Sequence, residues 1–187
     1  MSHQRRNMKA HKLCLSLLAL LVVGLLVGCS TSKSPDVSDS IRKSLDQAGL
    51  KDVTVSQDRD KGVVTLGGHV AAEADKAQAE SLAKSIAGEQ VIANQIAVTP
   101  PGVEGEAKAV NSDLDAGIEK NLDAALIQNK LHKGVKYDVK SGVVTLTGEV
   151  SSQSKRAQVA QVASTVPNVQ QVVNELQVKG QKATTTP

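Results

Sequence analysis

The stretch Gly62-Val63-Val64-Thr65-Leu66 recurs unchanged 80 residues later as Gly142-Val143-Val144-Thr145-Leu146. The chain is therefore a duplicated unit, and any fold assigned to one copy must also suit the other. Register holds from Gly62 to Val98: Gly68 meets Gly148, Ala83 meets Ala163, Asn94 meets Asn174 and Val98 meets Val178. Upstream, the Ile41 to Asp46 segment pairs with Ile118 to Asp123 at an offset of 77, so the second copy carries extra residues before its strands. A length change of that kind reads as a loop difference.

Each copy spells the same order of elements. In the second, Leu114, Ile118, Leu122, Ala125 and Leu126 recur at helical spacing, with Asp113 as the expected N-cap and Gly134 as the stop. Val135, Tyr137 and Val139 then alternate with charged residues as a half-buried strand. Ser141-Gly142 turns the chain into Val143 to Val150, closing a hairpin. Ser151 or Ser152 caps a second helix with the stripe Val159, Val162, Ala163 and Val166, matched by Ala79, Leu82, Ala83 and Ile86, and Pro167-Asn168 ends it. A last strand alternates through Val172, Asn174, Leu176 and Val178. The expected class is α+β: two tandem two-layer domains of order helix, strand, strand, helix, strand. Gly68 and Gly148 fall in mid-strand, which predicts either a close approach to the backbone or a bulge there, with a packed helix favoured over a ligand as the neighbour. A unit of about 60 residues is marginal alone, so the copies are expected either to pack together or to stand as two beads on a linker.

The ends of the chain speak to its compartment. Arg5, Arg6, Lys9 and Lys12 precede an apolar run from Leu13 to Val27, the layout of a signal peptide and too short for a comfortable membrane span. The run ends in Leu26-Val27-Gly28-Cys29, which resembles the lipobox of bacterial lipoproteins; that resemblance implies acylation at Cys29 after removal of residues 1–28. Each buried methylene contributes about 0.8 kcal/mol, and stable anchoring needs about two chains, so a multiply acylated Cys29 would stay on its membrane. Ser30 after the cysteine, by resemblance to lipoprotein sorting patterns, favours the outer membrane, facing the periplasm. Residues 29–36 read as a tether, 37–99 as the first domain, 100–111 as a linker, 112–179 as the second domain and 180–187 as a disordered tail.

Composition removes several function classes. Without residues 1–28 the chain keeps 18 Lys and Arg against 19 Asp and Glu, a net charge of −1, so the basic character of the whole chain gives no support to nucleic-acid binding. Tyr137 is the one aromatic residue, which leaves no platform for stacking bases or sugar rings. His69 and His132 do not recur between copies, and no phosphate loop, paired-cysteine metal spacing or cofactor motif occurs; the expectation is no catalytic site, no metal and no cofactor. Asp58-Arg59-Asp60-Lys61-Gly62 faintly matches the start of a calcium loop but reads as a turn.

The Gly-Val-Val-Thr-Leu-x-Gly-x-Val core and the ending Val169 to Val178 resemble the BON domain, found in osmotically inducible periplasmic proteins and nodulation proteins of bacteria. Two such domains behind a lipidated cysteine are similar to the dual-BON outer-membrane lipoproteins. The resemblance implies a non-enzymatic protein that binds phospholipid or membrane surfaces and supports envelope integrity under stress; the alternative it leaves is an adaptor for envelope proteins. The copies differ in charge: residues 36–100 carry 7 basic and 10 acidic residues, residues 112–179 carry 8 and 7. Lys155-Arg156 opens the second copy's second helix where the first has Asp75-Lys76, making Lys155 and Arg156 the candidate contacts for anionic phospholipid.

Overall fold

In the first copy, α1 (Ser38–Gln47) buries Ile41 and Leu45 and leads into the hairpin of β1 (Val53–Asp58) and β2 (Val63–Val70). Then α2 (Glu73–Ala87) crosses the hairpin and delivers β3 (Val91–Asn94) and β4 (Ala97–Val98) parallel to β2. The second copy repeats the order with α3 (Glu104–Gln128), β5 (Val135–Lys140), β6 (Val143–Val150), α4 (Gln153–Ser164), β7 (Gln171–Asn174) and β8 (Gln177–Val178). The computed structural model describes residues 33–179; segment 1–28, expected to be a signal peptide, Cys29 and segment 180–187, expected to be a disordered tail, lie outside the described residues. In both sheets the hairpin is antiparallel and the last strand parallel, with order β1-β2-β3 and β5-β6-β7. The α+β duplication expected from the repeat is the fold observed.

Strand alternation sorts side chains to two faces. Val64, Leu66 and Ile92 join the core under α1 and α2, as Val144 and Leu146 do under α3 and α4. Val63, Ala93, Val143 and Val173 form a separate buried cluster between the two copies. Equivalent positions, 63 with 143 and 93 with 173, meet from either side, so the interface is isologous and the copies are related by a pseudo-twofold. Both copies belong to one compact unit, which decides for packing over beads on a linker.

Several local expectations are corrected. The segment read as linker 100–111 is largely helix: α3 starts at Glu104, so Asp113 lies inside it and caps nothing. The pairing at offset 77 is one helical turn out of step. Leu50 N–H donates to the Leu45 carbonyl at 2.9 Å and Leu131 N–H to Leu126 at 2.8 Å, which makes Leu45 the counterpart of Leu126. The crowding at Gly68 and Gly148 comes from the backbone of the turn just before β1 or β5, not from a helix: a Cβ there would sit 2.0 Å from the Asp52 oxygen and 2.3 Å from the Gly134 oxygen. The end of the tether is held, since Ser34 N–H donates to the Arg59 carbonyl at 2.9 Å and Gln57 Nε2 to the Pro35 carbonyl at 2.7 Å.

The last strand is interrupted rather than continuous. Asn94 Oδ1 accepts from Ile96 N–H at 3.4 Å and Asn174 Oδ1 from Leu176 N–H at 3.2 Å, so each asparagine supplies a local alternative to the ladder. Asn94 Nδ2 also donates to the Glu80 carboxylate at 2.8 Å. That bond and the Lys84 ammonium hold the Glu80 carboxyl below its ordinary 4.5. A depressed carboxyl stabilises the fold above its unfolded pKa, and the contribution is lost as pH falls through the folded value. Glu80→Gln should therefore cost on the order of 1 kcal/mol at pH 7 and flatten the acid limb of melting temperature against pH below about 4.5, as checked by thermal melts from pH 2 to 7.

Candidate functional site

The N-terminus of α4 is built by Ser152, whose Oγ accepts from Lys155 N–H at 3.1 Å; of the two serines considered, this is the cap. The candidate pair then divides. Lys155 is half-exposed at the first turn of the helix. Arg156 donates from Nη2 to the Asn174 carbonyl at 3.0 Å, while its own carbonyl accepts from Asn174 Nδ2 at 3.2 Å, so this side chain clasps the end of β7. Its Nε is buried without a partner among the described residues. The equivalent Lys76 is only 7 % exposed and donates from Nζ to Gln170 Oε1 of the other copy at 3.1 Å. One position thus closes the domain interface in the first copy and its own strand in the second, and the free charge difference rests on Lys155 against Asp75.

The interface is polar at its rim. Lys61 Nζ meets Glu175 at 2.6 Å, a bond that raises the lysine above its ordinary value. The Gln171 side chain lies along β3: its Nε2 donates to the Ile92 carbonyl at 2.7 Å and its Oε1 accepts from Asn94 N–H at 3.1 Å. An open groove of about 700 Å³ runs between the copies, lined among others by His69, Thr99, Lys108, Asn111 and Asp115. His69 is exposed there, on the rim, and His132 is exposed elsewhere. Asp115 accepts from Ser141 N–H at 2.8 Å and Gly142 N–H at 2.9 Å, so its carboxylate serves the β5-β6 turn. The α3 wall of this groove was hidden in the sequence because Pro100-Pro101-Gly102 and Gly105 disguise the start of the helix.

Asp58 spends its carboxylate on its own loop, accepting from Asp60 N–H at 3.0 Å and Lys61 N–H at 3.1 Å. The Lys61 amide is the main reason its carboxyl sits below the usual range. That is a turn, as the Asp and Gly residues imply. Among the described residues no group of three or more His, Cys, Asp or Glu is placed to hold a metal, and no helix is long and apolar enough to cross a membrane.

A helix-strand-strand-helix-strand unit used twice, with its packing motifs in both copies, defines a small α+β module repeated in tandem. The BON domain family matches residues 34–100 and 114–180, and the chain belongs to that family. It is 29% identical over 137 residues to osmotically-inducible protein Y of Escherichia coli (strain K12), covering 72% of this chain and 67% of that protein. Among solved structures it is similar to CdsD, a structural protein of the type III secretion system of Chlamydia trachomatis. One structure of CdsD gives 15% identity over 77% of this chain and 92% of the other, with a TM-score of 0.34. The C-terminal domain gives 14% identity over 75% and 66%, with a TM-score of 0.31.

Proposed function

We propose that this chain is a non-enzymatic lipoprotein of the bacterial envelope, anchored through acylated Cys29 in the outer membrane and facing the periplasm. Its second BON domain contacts anionic phospholipid, and the protein supports envelope integrity under stress. The observation that carries the lipid contact is the half-exposed Lys155 at the start of α4, where the first copy has Asp75, on the one domain with a net positive charge. Arg156 supports the site from within by fixing the helix start to β7. The lipoprotein pattern at Cys29 and the kinship with an osmotically inducible protein support the setting.

A basic residue at an anionic surface contributes about 1 kcal/mol, so charge at this site is read best at low salt. Residues 29–187 carrying Cys29→Ala should float with anionic vesicles and not with phosphatidylcholine vesicles. Lys155→Ala should weaken that binding about fivefold, and Lys84→Ala on the acidic first domain should not. Equal flotation with both vesicle types, or none, would remove the lipid contact and leave only the anchor. A protein partner is the second reading, favoured by an asymmetry between the sheet edges.

A further inference from the structure

The duplicated fold has two last strands in the same setting, and only one of them is covered. In β3 and β7 the odd-numbered residues turn their backbone toward the hairpin: Val91 N–H donates to the Gly62 carbonyl at 2.9 Å and Gln95 N–H to Leu66 at 2.8 Å, with Glu175 N–H on Leu146 at 2.9 Å in the second copy. The even-numbered residues therefore face outward. On β3 these outward groups, the Ile92 carbonyl and the Asn94 N–H, are both taken by the Gln171 carboxamide. An amide bonded between the carbonyl of one residue and the N–H of the second residue on mimics one residue of an added parallel strand. The N-terminal half of α3 also packs against β4.

Neither cover exists in the second copy. The residue equivalent to Gln171 is Val91, which has no amide to offer and is 46 % exposed. The Val172 carbonyl and the Asn174 N–H have no partner strand and no side-chain partner among the described residues. No helix follows β8 among the described residues. Elsewhere, Arg42 donates to the Val55 carbonyl of β1 at 3.3 Å, as Arg156 does to the Asn174 carbonyl of β7, and β5 alternates Lys136, Asp138 and Lys140 along its exposed positions; on β7 the Val172 carbonyl and the Asn174 N–H stay open beside that arginine.

We propose that the outer edge of β7 is a docking site for an extended segment of a partner protein, one residue of which donates its N–H to the Val172 carbonyl and accepts at its own carbonyl from the Asn174 N–H. The first copy supplies the precedent, since the same two backbone positions there hold an amide. The Arg156 guanidinium, seated on the Asn174 carbonyl, and Lys155 in the same turn of α4 give the site positive charge. The segment that suits it alternates apolar residues, which pack beside Val91, with acidic ones. This recognition follows backbone augmentation. It deepens the partner reading and does not depend on lipid contact.

The test is amide exchange on the isotope-labelled chain of residues 29–187 with Cys29→Ala, using a ten-residue peptide of alternating valine and glutamate as probe. Without peptide, the Asn174 N–H should exchange at least tenfold faster than the Asn94 N–H that Gln171 caps. With peptide, it should slow to a similar rate. Val91→Gln, which offers β7 the same carboxamide, should slow Asn174 without peptide and abolish the response to it. Arg156→Gln, which keeps a donor at the edge but removes the charge, should weaken the peptide effect severalfold if Val91→Gln does not fold. Three results would overturn the proposal: Asn174 already as protected as Asn94 in the unaltered chain, no response to the peptide, or protection by anionic vesicles but not by peptide. A null lipid-flotation result leaves this test untouched, so the two readings fail separately.

Discussion

Gly148→Ala is expected to be the most damaging single-methyl change in the second domain, costing more than about 3 kcal/mol in equilibrium unfolding. Gly148 has φ of +109°, and an added Cβ would lie 2.3 Å from the Gly134 carbonyl oxygen. The close neighbour is backbone, fixed by the bond from Glu149 N–H to that same oxygen at 2.9 Å, so it cannot move aside without breaking the end of the hairpin. Relief would require β5 and β6 to part, which exposes the valines they bury. Gly117→Ala is the matched control. That glycine lies within α3 with nothing within 4 Å of its would-be Cβ, so alanine should stabilise by about 0.5–1 kcal/mol. Denaturant melts of the two variants should move in opposite directions.

Val173→Asp has the second largest expected effect, and it acts between the domains. Val173 is 1 % exposed in the cluster it shares with Val63, Ala93 and Val143. An ionised carboxylate cannot stay there unpaired, but it can regain water if the copies separate. The cost is therefore capped by the interface itself, whose small aliphatic cluster contributes on the order of 3 kcal/mol beside the polar contacts at its rim. Unfolding should change from one transition to two in differential scanning calorimetry, and proteolysis around Gly102 should accelerate. Thr145→Asp, on a half-buried position of the same strand layer outside that cluster, should leave a single transition.

How far this could be foreseen depended on which interactions repeat within the chain. The duplicated strands and their turns were legible because alternation has a period of two, and a slip of one residue would expose the core. The helix pairing was not, because a shift of one turn leaves an apolar stripe almost unchanged: Ile41 and Leu45 match Ile118 and Leu122 as well as they match Leu122 and Leu126. Only the hydrogen bonds that close the helix ends distinguish the two registers. At the candidate site, composition pointed to Lys155 and Arg156, but no local pattern says that Arg156 reaches across to Asn174. Gln171 was invisible for the same reason. Its partners on β3 lie 79 and 77 residues away, and a glutamine at the start of a strand has no signature of capping another.

The central claim is that the two copies form one body, so that damage in one is felt in the other. Residue-resolved amide exchange on Gly148→Ala tests it most directly, with the probe placed in the untouched first domain. Ala93 and Asn94 of β3 depend on Val143, Val173 and Gln171 for cover and capping. The Asn94 amide, which bonds outward to Gln171, should lose at least tenfold in protection when the second domain is weakened, while Leu66, deep in the first core, keeps its own. Unchanged protection across β3 in a variant whose second domain has melted would contradict the account and return the chain to two independent modules.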